Sequence, residues 1–241
     1  MHAMTVSNVL AEGFDLYKRF FWRFVATAAV VFVVLDLVSA VADRAAGTSV
    51  TSDVLWSLIA VVLSFIGAFW LQGALIEAVR DVRDGRIDTT IAELYERTRP
   101  RLPALIAAGI VAGLAIALGL VLLVVPGLFL LTRWALIPAV IVIEKRSAGE
   151  SFDRSWQLTR GHGWTVFGSL VVAYLLYVIG QGILRALFAP LPNFAATWIG
   201  GIVAHSITTP FIAAVGVVLY FGLARMPVGV DPAPATPQPS E

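Results

Sequence analysis

From position 24 to 42 the chain carries a single charged residue, Asp36. Five further apolar runs follow, at 54–76, 102–125, 128–143, 164–187 and 198–223. At about 1.5 Å per residue, some 20 helical residues cross a hydrocarbon core of about 30 Å. Runs of this length predict an all-α polytopic membrane protein with six transmembrane helices. Overall composition agrees: 59% of residues are apolar and 14% charged, where soluble domains average about 45–50% and about 25%. The net charge of +1 provides no global field to attract nucleic acid or an acidic substrate. Without cysteine there is no disulfide, thiolate nucleophile or cysteine metal site. The three histidines, His2, His162 and His205, show no metal-ligand spacing such as H-E-x-x-H. No cofactor is implied.

The segments between runs are charged and carry helix-start signals. Leu10, Phe14 and Tyr17 recur at helical spacing among Glu12, Asp15, Lys18, Arg19 and Arg23, predicting an amphipathic helix on the membrane surface. Thr90 with Glu93, and Ser147 with Glu150, form capping boxes that predict two more short helices. One presents Ile91, Leu94 and Tyr95 on a face, the other Phe152, Trp156 and Thr159. Glu77 marks the expected end of the second span, and Pro126-Gly127 suits a type II turn closing spans three and four into a hairpin. The expected layout is three hairpins, each preceded by an interfacial amphipathic helix on the cytoplasmic side. Residues 1–223 form the membrane domain, and 224–241 a Pro-rich tail expected to be disordered. A leader peptide is the rival reading of the first run, because Val38-Ser39-Ala40 resembles a cleavage site; the long, acid-containing segment before it weighs against this.

With the N-terminus inside, fourteen Lys and Arg fall on the cytoplasmic side and two, Arg44 and Arg185, outside, leaving Arg133 within a span. This positive-inside bias predicts a multi-pass cell-membrane protein with both termini cytoplasmic. A repeat also emerges when FDLYKRFFWRF from Phe14 is set beside WQLTRGHGWTVF from Trp156. Phe14 meets Trp156, Leu16 meets Leu158, Lys18 meets Arg160 and Trp22 meets Trp164. Tyr95 and Arg99 give a fainter middle copy, so residues 1–76, 85–143 and 147–223 read as three units. Convergence is the alternative, since any helix at the headgroups uses aromatic and basic residues.

The pattern QGALIEAVRDVRDGRID, then RW at Arg133, Pro138, Glu144 and RSWQLTRGHGW, resembles the membrane regions of the glycerophosphoryl diester phosphodiesterase membrane-domain family and related bacterial inner-membrane proteins. The resemblance covers roughly 72–164. In some members such a region precedes a soluble barrel that hydrolyses glycerophosphodiesters. That barrel and its metal-binding carboxylates have no counterpart in this sequence, so the resemblance does not bring hydrolase activity with it.

Ionisable residues inside spans are functional candidates by default. Asp36 and Arg133 fall at similar depths below the outer boundary, with Gln181 and His205 in the same half. These four residues are expected to form an intramembrane polar cluster holding a headgroup or small solute. The alternatives are an Asp36–Arg133 packing pair, or Arg133 snorkelling alone. Arg97, Arg99, Arg101, Arg160, His162 and Trp164 form a basic, aromatic-flanked collar on the inner face, suited to anionic lipid or to topology anchoring alone. Glu144 reads as a solvated boundary charge, Gly109-x-x-x-Gly113 as internal packing, and no catalytic constellation appears. Three functional readings follow. The first is a non-catalytic scaffold or accessory protein interacting with membrane lipids, with a membrane-protein partner or a second copy of the chain also admissible. The second is a small permease or channel, for which Gln72 and Glu77 would be the stepping stones. The third, least supported, is an intramembrane enzyme.

Overall fold

The computed structural model describes residues 4–45, 50–83 and 89–226; within them the chain is helical, with no strand. In chain order the helices are α1 (Val6–Arg19), α2 (Phe21–Ala45), α3 (Val50–Arg83), α4 (Ile91–Thr98), α5 (Leu102–Leu122), α6 (Val124–Trp134), α7 (Ile137–Ile143), α8 (Ala148–Thr159), α9 (Gly163–Phe188) and α10 (Asn193–Ala224), with a 3-10 turn over Arg99–Arg101 joining α4 to α5. Among the described residues six stretches are long and apolar enough to cross a membrane: Phe21–Val41, Asp53–Arg83, Ile91–Leu122, Val124–Ile143, Gly163–Phe188 and Phe194–Ala224. They pair as three hairpins, preceded by α1, α4 and α8 respectively. The expected all-α, six-span architecture is the one observed. The tail from Pro227 lies outside the described residues.

Local chemistry sets the three short helices. Thr5 caps α1, its hydroxyl accepting from the Asn8 N–H at 3.3 Å. In α4 the Thr90 hydroxyl accepts from the Glu93 N–H while the Glu93 carboxylate accepts from the Thr90 N–H; Ser147 and Glu150 repeat this at α8. Each box satisfies two donors that a helix start leaves without partners. Residues matched between the first and third units also share their exposure: Phe14 of α1 and Trp156 of α8 face outward, as do Trp22 of α2 and Trp164 of α9.

The helices nonetheless sit differently. α1 packs antiparallel along the C-terminal half of α10, with Met4 at Gly222, Gly13 at Val215, and Phe14 and Tyr17 against Phe211. The Tyr17 hydroxyl donates to the Ile207 carbonyl at 2.6 Å. Burial pushes this phenol up to about 12, keeping it a donor at any physiological pH. α8 folds back along α7. Both described ends of the chain therefore meet on one side of the molecule, with α4 and α8; this is called the collar side below.

Three sequence expectations are corrected here. α3 does not end at Glu77 but continues to Arg83, because its charged last turns find partners: Asp81 binds Arg23, Arg83 binds Glu12 at 3.0 Å, and Arg80 lies 3.7 Å from Glu77. The α5–α6 hairpin exists, but its turn falls at Leu123, whose backbone is extended. Pro126 and Gly127 instead occupy the first turn of α6, where a missing N–H costs nothing. Gly127 is there for proximity, its Cα lying 2.9 Å from where a Cβ on Gly119 would stand.

Span four, finally, is broken at Ala135 and Leu136, ahead of Pro138. A break at membrane depth frees backbone groups that must be re-satisfied internally. Ser155 of α8 does this in both directions, its hydroxyl donating to the Arg133 carbonyl at 2.7 Å and accepting from the Leu136 N–H at 3.3 Å. The Thr159 hydroxyl also reaches the Arg133 carbonyl, at 3.4 Å. Ser151, Ser155 and Thr159, all fully buried, form an i, i+4, i+8 hydroxyl stripe that seats α8 on the break.

Candidate functional site: a charged triad beside an intramembrane cleft

Asp36 and His205 come together, but Arg133 does not join them. Asp36 lies on the face of α2 turned to α10, where Gly201 makes room: a Cβ there would stand 2.8 Å from the carboxylate. The His205 Nδ1 lies 3.1 and 3.2 Å from the two Asp36 oxygens, and its Nε2 lies 2.9 Å from an Arg185 nitrogen. A guanidinium only donates, so Nε2 must accept and the ring proton must sit on Nδ1, donated to Asp36. Phe32 stacks on the imidazole at 4.8 Å. The result is an ordered relay from Asp36 through His205 to Arg185, drawn from α2, α10 and α9. It neutralises a carboxylate that the membrane would otherwise make costly.

Gln181, one helical turn below Arg185, extends the cluster. Its side-chain nitrogen donates to the Thr208 hydroxyl at 2.8 Å, which donates in turn to the Ala204 carbonyl at 2.8 Å. Tyr177 lies one turn before Gln181 on the same face of α9. Sequence depth alone had paired Asp36 with Arg133, whereas the cation serving Asp36, through His205, is Arg185. Its signal was nevertheless present: Leu170, Tyr174, Tyr177, Gln181 and Arg185 recur at helical spacing and share a face of α9. Arg133 neither pairs with Asp36 nor snorkels alone. Its guanidinium lies against both the Phe129 and Trp156 rings, 5.0 and 5.2 Å from their centroids, and the rings meet edge to face at 5.5 Å, a double cation–π contact holding α8 to α6.

Beside the triad lies a cleft of about 640 Å³ between the α5–α6 hairpin, α3, α9 and α10. Its wall is mostly apolar, with Leu131, Leu170, Ile212 and Ala213 prominent, and Gln72, Thr209 and Trp134 add scattered polar groups. Phe32 belongs to both cleft and triad surroundings, lining the cleft and stacking on His205.

The collar residues do not converge on one point. Arg101 donates to the Lys145 carbonyl at 3.3 Å, tying the α4–α5 join to the α7–α8 join. Arg99 lies 3.7 Å from Glu96, both exposed. Arg160, His162 and Trp164 sit at the far end of α8, whose 12 residues span roughly 18 Å. His162 flanks the start of α9, its Nδ1 3.3 Å from the Arg160 carbonyl. Glu144 is more than a solvated boundary charge. It meets Arg154 at 2.9 Å, Arg146 at 2.7 Å and the Tyr220 hydroxyl at 3.0 Å. Partial burial would raise its pKa, but the bonds from Arg154, Arg146 and Tyr220 outweigh this and hold it below the usual glutamate value. In the sequence, Gly109 and Gly113 suggested close packing; Gly109 receives the Phe69 ring while Gly113 faces open space.

Fold and site together define the class: a polytopic, all-helical membrane protein with a polar cluster embedded beside an apolar cleft. The chain belongs to the family described as a domain of unknown function (DUF7847), whose model matches residues 22–224. Comparison with curated proteins and with solved structures finds no match. The match gives no support to the glycerophosphoryl diester phosphodiesterase membrane-domain family specifically.

Proposed function

We propose that this protein is a non-catalytic, lipid-interacting scaffold or accessory protein of the cell membrane, with both termini in the cytoplasm and the basic collar meeting anionic headgroups. The carrying observation is the apolar wall of the cleft. Ion-paired groups lie in two layers, the Asp36–His205–Arg185 cluster on one side and the separate Arg23–Asp81 and Glu144–Arg154 pairs on the collar side. Packing around Phe24, Ala28, Leu71 and Leu75 separates them. A permease would need a polar path joining the layers, but Gln72 opens on the apolar cleft and Glu77 is buried beside Arg80. Hydrocarbon suits such a cleft better than a hydrated solute. The resemblance of residues 72–164 to membrane regions linked with glycerophosphodiester hydrolases fits a lipid-facing role without hydrolysis.

The test is native mass spectrometry of protein extracted in mild detergent, paired with solute-flux measurements in proteoliposomes. Retained lipid enriched in anionic species, with flux equal to protein-free vesicles, is expected. Protein-dependent flux, or release of all lipid under conditions that keep the fold, would overturn the proposal.

A further inference from the structure

One face of α9 carries a graded series of side chains. Leu170 is followed by the phenols of Tyr174 and Tyr177, the amide of Gln181 and the guanidinium of Arg185. Leu170, Tyr174 and Tyr177 line the cleft, and Arg185 is exposed at the end nearest the α9–α10 connection. From Leu170 to Arg185 the helix rises roughly 22 Å, about half of a bilayer 40–45 Å thick including headgroups. With α9 running over Gly163–Phe188, the strip starts a turn or two on the collar side of the helix midpoint and ends near its outer end, with polarity rising along it. Arg185 has five N–H donors. Its contact with the triad is to the imidazole of His205, so Asp36 is reached only through that ring. Among the described residues no carboxylate lies within ion-pair distance of the Arg185 guanidinium.

From this geometry we infer that the cleft binds one acyl chain of an anionic phospholipid, whose phosphate is held by Arg185. The inference rests on the lipid-interacting reading and names the ligand and its place. The triad then has a second role. His205, fixed by Asp36 below and stacked on Phe32, orients the guanidinium so that its remaining donors face the headgroup layer at the mouth of the cleft. The chain passes between Tyr174 and Tyr177 on one side and Leu131 and Trp134 on the other. Gly216 keeps the lower part open, since a Cβ there meets nothing within 4 Å.

The experiment uses the full chain in vesicles of phosphatidylglycerol or phosphatidylcholine, each doped with the same lipid class carrying a diazirine acyl chain. Cross-linked peptides are then mapped by mass spectrometry. Labelling at 131–139 and 170–177 is expected, stronger for phosphatidylglycerol. R185Q should reduce that preference roughly fivefold, the contribution of one basic residue at a headgroup, and R185K should restore most of it. G216L, entering open space, should lower cleft labelling by both lipids without lowering thermal stability. Equal labelling by the two lipids, or a preference unchanged in R185Q, overturns the headgroup assignment; cleft labelling unchanged in G216L overturns the chain assignment. Labelling confined to collar peptides 97–101 and 160–164 sinks this inference while leaving the lipid-interacting reading in place. No labelling above background at either region would sink both.

Discussion

Asp36 is tolerated in a membrane-spanning helix because three neighbours are shaped around it: His205 supplies a proton, Gly201 supplies space, and Arg185 fixes the tautomer. Gly201→Ala would push a methyl group to 2.8 Å from the carboxylate carbon. Overpacking of this kind costs about 1–3 kcal/mol, and G201A should lower the thermal midpoint in detergent accordingly. Gly216→Ala is the matched control. Its methyl enters open space, so helix propensity alone acts and stability should hold or rise by up to about 1 kcal/mol. Equal midpoints for the two variants would mean that Gly201 does not shape the triad. Ser155 admits a parallel test. Ser155→Ala leaves the Leu136 N–H without its hydroxyl partner and the Arg133 carbonyl with only the longer contact from Thr159, at about 1–3 kcal/mol for a buried unsatisfied group. Ser151→Ala removes only a back-bond to the Ser147 carbonyl and should be milder. If S151A proved as damaging as S155A by denaturant or thermal melt, the hydroxyl stripe would not be bracing the break.

At the scale of elements, Glu144 joins three helices: it ends α7, and it receives bonds from Arg154 of α8 and Tyr220 of α10. Because its folded pKa is lowered, the carboxylate form favours the fold. Its contribution is complete above the ordinary glutamate value of about 4.3 and is lost as pH falls through the lower folded value. The melting temperature of the wild type should therefore fall across acidic pH through this group, while E144Q starts lower and loses that component of the slope. Identical slopes in the two proteins, measured by scanning fluorimetry with one detergent, would rule out the linkage. The elements differ in how readily the sequence discloses them. Capping boxes at Thr90 and Ser147 are local, with both partners three residues apart, so they are read directly. Pro126-Gly127 misleads because the same dipeptide satisfies a type II turn and the first turn of a helix. Only the approach of α5, with Gly119 against Gly127, decides between them. Ser151, Ser155 and Thr159 look like an ordinary polar edge of α8 until the break in span four gives them carbonyls and an N–H to serve.

For the whole molecule, hydropathy discloses the number of spans because lipid imposes one length and one composition on each of them. It discloses depth as well, which is why Asp36, Gln181 and His205 could be grouped before any contact was known. Depth is one coordinate, however. The rotation of each helix and the identity of its neighbours decide the pairing, and α2 packs on α10 rather than on α6. Arg133, grouped with Asp36 by position in the sequence, packs instead on Phe129 and Trp156 where α6 meets α8, while Arg185 serves the triad. The same reasoning leaves the absolute orientation to charge. The collar side carries both described ends of the chain and most of the described Lys and Arg residues, and the positive-inside rule is the ground for proposing that it faces the cytoplasm. The absence of cysteine makes the test direct. Single cysteines introduced at Thr48, between α2 and α3, and at the exposed Glu96 of α4 are treated with a membrane-impermeant maleimide in intact cells, then again after permeabilisation. Thr48→Cys should label in intact cells and Glu96→Cys only after the membrane is opened. The reverse pattern would invert the protein and place the Arg185 headgroup site in the cytoplasmic leaflet. There it would draw on the anionic lipids of the inner leaflet while the collar faced the outer one, and the ligand of the α9 strip would come from that inner leaflet.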